Sequence, residues 1–123
     1  MNGYSIYKKG FNATPHEDNE CYTLVEYLEL IGLRYSHIHH GANLSSVAQR
    51  SKAKRLGKKR GVPDYLIVLP NKLLFIEMKR EKGGVTSVEQ KEWIKALSAV
   101  QNVEAVVCKG FDEAKIVIDR NLV

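Results

Sequence analysis

The stretch PDYLIVLPNKLLFIEMK, residues 63–79, decides how this chain is read. Two apolar runs, Asp64 to Leu69 and Leu73 to Lys79, flank the turn Pro70-Asn71-Lys72. A connection this short predicts an antiparallel hairpin. Asp64 opens its first strand, while Glu77 and Lys79 close the second. Antiparallel pairing brings the start of one strand beside the end of the other. Side chains alternate along a strand, so Glu77 and Lys79 share a face and Met78 points away. Two acids and one amine are therefore expected together at one end of a sheet.

Two carboxylates that close repel by about 4 kcal/mol at an effective dielectric of 20. Lys79 offsets part of that, and a hard divalent cation would offset the rest. Mg²⁺ takes a few carboxylate oxygens and keeps several waters. A metal-bound water is more acidic than bulk water, and the ion neutralises charge building on a phosphate. Lys79 is placed to orient an attacking water or to stabilise transition-state charge. These are the parts that phosphodiester hydrolysis requires. The plainer reading is a hairpin salt bridge after a proline turn. Against it, Glu77 and Lys79 interrupt an apolar strand at its end, and a basic block lies directly upstream.

That block is the next feature outward. From Leu30 through Pro63 there is no Asp or Glu, while Arg34, Arg50, Lys52, Lys54, Arg55, Lys58, Lys59 and Arg60 all fall there. Net charge over the 123 residues is +5. A one-signed block repels itself unless an anion meets it, and nucleic acid is the commonest such anion. A solvated basic loop is the alternative. Ser45 to Leu56 reads as a short basic helix with a thin apolar side of Val47, Ala48 and Leu56. Gly57 to Gly61 reads as a glycine-bracketed loop.

Further upstream, Cys21, Leu24, Leu28 and Ile31 fall on one face of a helix over His16 to Ile31. Thr14-Pro15 gives its start signal and Gly32 its stop. Arg34 to His40 reads as a strand, and Met1 to Pro15 as irregular. Downstream, Arg80 to Thr86 is a charged loop. A helix follows from Ser87 to about Gln101, with Val88, Trp93, Ile94, Leu97 and Val100 as its apolar residues. Val103 to Cys108 reads as a strand and Phe111 to Ile118 as a closing helix. A hairpin followed by a strand–helix–strand crossover predicts an α/β fold, a mixed sheet flanked by helices.

The bulk properties exclude several classes. The length suits one domain over residues 1–123, and 44% apolar content is globular rather than disordered. No apolar run approaches the ~20 residues of a membrane span, and no secretory signal is evident. Cys21 and Cys108 lie far apart with no motif, as expected for reduced thiols in a cytoplasmic protein. His37, His39 and His40 lack a Cys or His partner at zinc spacing.

With these segments in place, GVPDYLIV (61–68), LLFIEMKREKGG (73–84) and TSVEQKEWIKAL (86–97) together resemble the virus-type replication-repair nuclease (VRR-NUC) domain. That family belongs to the PD-(D/E)XK, or restriction-endonuclease-like, superfamily, with an αβββαβ core. The resemblance covers about His16 to Ile118 and makes the basic helix an insertion. It implies that Asp64 and Glu77 are metal ligands for Mg²⁺ or Mn²⁺, with the Met78 carbonyl as a further ligand. Lys79 becomes the catalytic lysine and Gln90 a helix glutamine beside the site. A first-helix glutamate, Glu17 or Glu20, completes the acidic cluster. The register favours Glu17, with Glu20 close behind. Many relatives carry glutamine where this chain has Cys21, which touches hydrogen bonding around the first helix rather than the metal site.

Bland readings stand beside these. Ser87-x-x-Gln90 is a capping-box pattern that starts a helix whatever its function. Glu17 and Glu20 are favourable charges in a helix's first turn. The expectation is a metal-dependent, structure-selective DNA endonuclease. Stand-alone phage and bacterial members look like homodimers that act on branched DNA such as four-way (Holliday) junctions in repair. Arg50, Lys52, Lys54, Arg55, Lys58, Lys59 and Arg60 would bind phosphates. The alternative is a non-catalytic basic module that binds nucleic acid.

Overall fold

The computed structural model describes residues 17–38 and 46–123. Expectations for Met1 to His16, including the start signal Thr14-Pro15, and for His39, His40 and Ser45 lie outside the described residues.

The elements run α1 (Glu17–Ile31), β1 (Arg34–His37), α2 (Val47–Arg55), β2 (Tyr65–Val68), β3 (Leu73–Lys79), α3 (Val88–Ser98), β4 (Val103–Lys109) and α4 (Phe111–Arg120). The strands form one sheet in the order β1-β2-β3-β4. β1 and β2 pair antiparallel, as do β2 and β3, where Tyr65 faces Ile76 and Val68 faces Leu73. β4 then returns parallel to β3, with Leu73 opposite Val103 and Lys79 opposite Lys109. The crossover through α3 makes the sheet mixed, as the strand–helix–strand order predicts.

Alternation along β3 separates two faces. Leu74, Ile76 and Met78 are fully buried and join Tyr65 and Ile67 of β2 in one cluster with Leu24 and Leu28 of α1 and Phe111 and Ile118 of α4. Each such side chain contributes about 1.5–3 kcal/mol by leaving water. Tyr27 and Phe111 meet edge to face, their centroids 5.5 Å apart. The other face of β3 carries Phe75, Glu77 and Lys79 toward α3, which packs mainly on β4. α3 is the thinner cover: Trp93, Ile94 and Leu97 are half-buried, whereas Val88 and Val100 are exposed.

Local signals bound the helices, although α3 ends at Ser98, short of the expected Gln101. Gly32 (φ 75°) stops α1, with Leu33 N–H bonded to Leu28 O and Gly32 N–H to Glu29 O. This pairing satisfies the last carbonyls, and it needs a left-handed residue. Ser46 caps α2 and Ser87 caps α3, each in a full capping box with Gln49 and Gln90. One expectation is corrected in α2. Val47, Ala48 and Leu56 are exposed, and the helix is seated instead by buried Ala53. α2 therefore carries a single buried residue and no aliphatic stripe.

Candidate active site

The hairpin ends at Pro63, which offers no N–H to a strand ladder. The last paired step is Tyr65 with Ile76. Beyond it, the Asp64 carboxylate stands in for a strand partner: Met78 N–H donates to Asp64 Oδ2 at 2.8 Å. Asp64 is thereby anchored beside the Glu77-Met78-Lys79 end of β3. Asp64 thus reaches that segment through the Met78 amide.

Glu77 is 3% exposed, a carboxylate held inside the α3 face. Two donors converge on its Oε2. Lys79 Nζ lies 3.3 Å away, and Gln90 Nε2 donates at 2.9 Å. Lys79 is itself largely buried, with 13% of its side chain exposed. A buried carboxylate is costly unless paired and hydrogen-bonded, and here it is both. Lys79 comes from the same strand face two residues on. Gln90 comes from the first turn of α3, where Ser87 N–H donates to its Oε1 at 2.9 Å. The capping-box and site readings of Gln90 therefore hold together.

The first-helix glutamates divide. Glu17 opens α1, and its side chain lies outside the described residues. Glu20 is fully buried, and its Oε1 accepts from Phe111 N–H at 2.8 Å. α4 begins at Gly110, which has no side chain to cap it. Glu20 supplies that acceptor from 91 positions earlier. A Cβ at Gly110 (φ 88°) would lie 2.7 Å from Glu20 Oε1 and from Glu81 Cγ, so glycine is required there. Gly110 N–H in turn donates to Lys79 O at 3.0 Å, linking the α4 start to the end of β3.

Tyr65 and Cys108 are not set up to act as bases. Burial pushes the Tyr65 hydroxyl above the usual phenol range, with its Cys21 contacts adding to the shift. Burial likewise pushes the Cys108 thiol up to about 12. Both stay protonated at neutral pH. Cys21 and Cys108 are not joined in a disulfide, as expected. His37 stacks edge to face on Tyr65.

Every residue of the proposed phosphate-binding set, Arg50, Lys52, Lys54, Arg55, Lys58, Lys59 and Arg60, is exposed. Lys52, Lys54 and Arg55 fill the last turn of α2, where the helix dipole favours cations. Sequence reasoning missed the Asp64–Met78 bond and the Glu20 cap. It also missed a close approach of Gly61 to α3.

A mixed four-stranded sheet between helices, with an aspartate and a buried Glu–Lys pair at the hairpin's end, defines a restriction-endonuclease-like protein. The family model described as the VRR-NUC domain matches residues 7–112, and the chain belongs to that family of nuclease-type domains. A solved structure described as a "VRR_NUC domain protein" is similar at a TM-score of 0.71 and 25% identity, over 89% of each chain. No curated protein matches the chain.

Proposed function

We propose that this protein is a metal-dependent endonuclease that hydrolyses DNA phosphodiester bonds, with branched DNA such as four-way junctions as substrate. The observation that carries this reading is the buried Glu77 carboxylate, bound by Lys79 and Gln90 beside Asp64.

The donor chemistry fits Mg²⁺ or Mn²⁺, which favour carboxylate and carbonyl oxygen. Asp64, Glu77 and the Met78 carbonyl would hold the ion, with Glu17 as the helix glutamate. Among the described residues no three Asp, Glu, His or Cys side chains are grouped to hold a metal. One or two carboxylates suffice for an ion that keeps most of its water. When bound, such an ion supplies an acidified water and neutralises phosphate charge.

The chain's own residues do the rest. Gln90 and Lys79 fix the Glu77 carboxylate, and the Met78 amide fixes Asp64. Lys79 offers a charged donor to a phosphate whose charge grows in the transition state. Arg50, Lys52, Lys54, Arg55, Lys58, Lys59 and Arg60 grip backbone phosphates, which gives salt-sensitive affinity without base readout. That favours recognition of DNA shape over sequence. A two-fold dimer would present two such sites to a two-fold junction.

The test is cleavage of a labelled four-way junction in Mg²⁺ or Mn²⁺, with matched linear and flapped DNA, comparing wild type and Lys79→Ala. Cutting by wild type alone supports the proposal. Preference for linear or flapped DNA overturns the branched substrate. Binding without cutting in either metal leaves a non-catalytic module.

A further inference from the structure

Gly61 lies at a point of contact that neither the sheet nor the carboxylates explain. Its φ is 89°, a region that side chains other than glycine rarely enter. A Cβ there would stand 2.6 Å from Glu89 C, 2.7 Å from Gln90 N and 2.7 Å from Glu89 Cβ. The backbone of the loop thus presses directly on the first turn of α3. The residue it touches, Gln90, is the one whose Nε2 binds Glu77.

Gly61 also sits midway along a short, loaded segment. Exposed Lys58, Lys59 and Arg60 precede it, and Asp64 follows three residues later. Three residues of extended chain span at most about 10–11 Å. Successive nucleotides of one strand advance by about 3.4 Å along the duplex axis. The three cations are therefore tethered by a short stretch of chain to the contact that fixes Gln90 and Glu77.

We propose that Gly61 is a positioning residue that fastens the Lys58-Lys59-Arg60 cluster to the first turn of α3. It thereby sets which backbone phosphate, counted from those the cluster grips, reaches Glu77 and Lys79. The proposal rests on the nuclease reading above and adds to it a fixed offset between grip and cut.

Gly57 provides a matched control. It too has positive φ, 80°, but a Cβ there meets nothing within 4 Å. Gly57→Ala therefore strains the same basic segment without touching α3. In Gly61→Ala the two backbones must separate by several tenths of an ångström or more. Misplacement on that scale costs up to about 10²-fold in rate.

The experiment maps cut positions on an end-labelled junction and measures kcat, DNA affinity and the Gln90 side-chain amide resonance. Wild type, Gly57→Ala and Gly61→Ala are compared. Gly61→Ala is expected to lose about 10- to 10²-fold in kcat, to scatter its cut positions and to shift the Gln90 amide resonance. Its affinity and salt dependence should stay near wild type, because the cations remain. Gly57→Ala should match wild type in all four.

A second variant covers the case in which Gly61→Ala does not fold. One glycine inserted between Arg60 and Gly61 keeps the α3 contact and lengthens the tether by about 3.3–3.6 Å. The cut should then shift along the strand or spread over neighbouring positions. Unchanged cut positions in the insertion variant, or equal defects in Gly57→Ala and Gly61→Ala, overturn the positioning role. A wild type that binds junctions but cuts nothing overturns the nuclease reading instead. The amide resonance, read without activity, still decides whether Gly61 governs Gln90.

Discussion

Gln90 holds Glu77 with one end of its amide and starts its own helix with the other. Nε2 donates to Glu77 Oε2 at 2.9 Å, while Oε1 accepts from Ser87 N–H, also at 2.9 Å. The Ser87 N–H can only donate, so it assigns the oxygen to that side and turns the NH₂ toward Glu77. The same residue thus fixes where α3 begins and how the buried carboxylate is held.

This double role can be separated. Ser87→Ala removes the hydroxyl that accepts from Gln90 N–H but keeps the Gln90–Glu77 bond. It should lower stability by about 0.5–2 kcal/mol, the usual cost of a missing N-cap, and leave cleavage near wild type. Gln90→Ala loses both side-chain bonds and should also reduce cleavage. Denaturant melts beside junction-cleavage rates check this pair. Equal cleavage by the two variants would reduce Gln90 to a capping residue.

Glu20 gives a second separable case. Glu20→Ala leaves the buried Phe111 N–H without its acceptor, an expected loss of about 1–3 kcal/mol. Glu20→Gln keeps an acceptor oxygen and should retain most of the stability. Chemical denaturation of both variants reads this directly. Loss of cleavage in a stable Glu20→Gln variant would add a role in the acidic cluster to the capping role.

The basic loop makes a prediction about salt. Replacing Lys58, Lys59 and Arg60 together by alanine removes up to three cations that can neutralise phosphates. The slope of log affinity against log salt should shrink by up to about 0.9 for each phosphate no longer neutralised. Titration of labelled junction DNA at several salt concentrations measures it. An unchanged slope would place the phosphate grip elsewhere.

Acid stability should depend on the far end of the molecule. Burial opposes ionisation of Glu104, but hydrogen bonds from Asn121, Lys72 and Arg120 outweigh it and hold its pKa below the ordinary 4.5. Burial is likewise outweighed at Asp119, by Lys115 and Tyr27, leaving it below 3.8. A carboxylate whose folded pKa is depressed adds stability above its unfolded value, and that stability is lost as pH falls through the folded value. Glu104→Gln should therefore flatten the pH dependence of unfolding below about pH 4.5 while changing little of its shape at neutral pH. Urea melts between pH 3 and 7, each about one unit apart, test it.

Much of this arrangement is legible in local sequence. The hairpin follows from two apolar runs around Pro70-Asn71-Lys72, and its observed register puts Val68 opposite Leu73. Period-two alternation places Glu77 and Lys79 on one face, and their 3.3 Å contact follows. Ser87 and Gln90 announce the start of α3. What stays hidden depends on distance along the chain. Nothing near Glu20 indicates that it accepts from Phe111 N–H, since that bond forms only when the α4 start packs against α1. Nor does the apolar content of α2 single out Ala53 as its buried residue, because burial there is set by the folded chain rather than by helical spacing.

Periodicity and turn chemistry act over a few residues. Local sequence therefore sets the elements, the face that Glu77 and Lys79 share, and the basic block ahead of Asp64. Three other relationships exist only in the folded chain: Gln90 closes on Glu77, Glu20 caps α4, and Gly61 abuts the first turn of α3. They join segments brought together by burial of the common core, and the geometry of a packed core cannot be summed from local preferences.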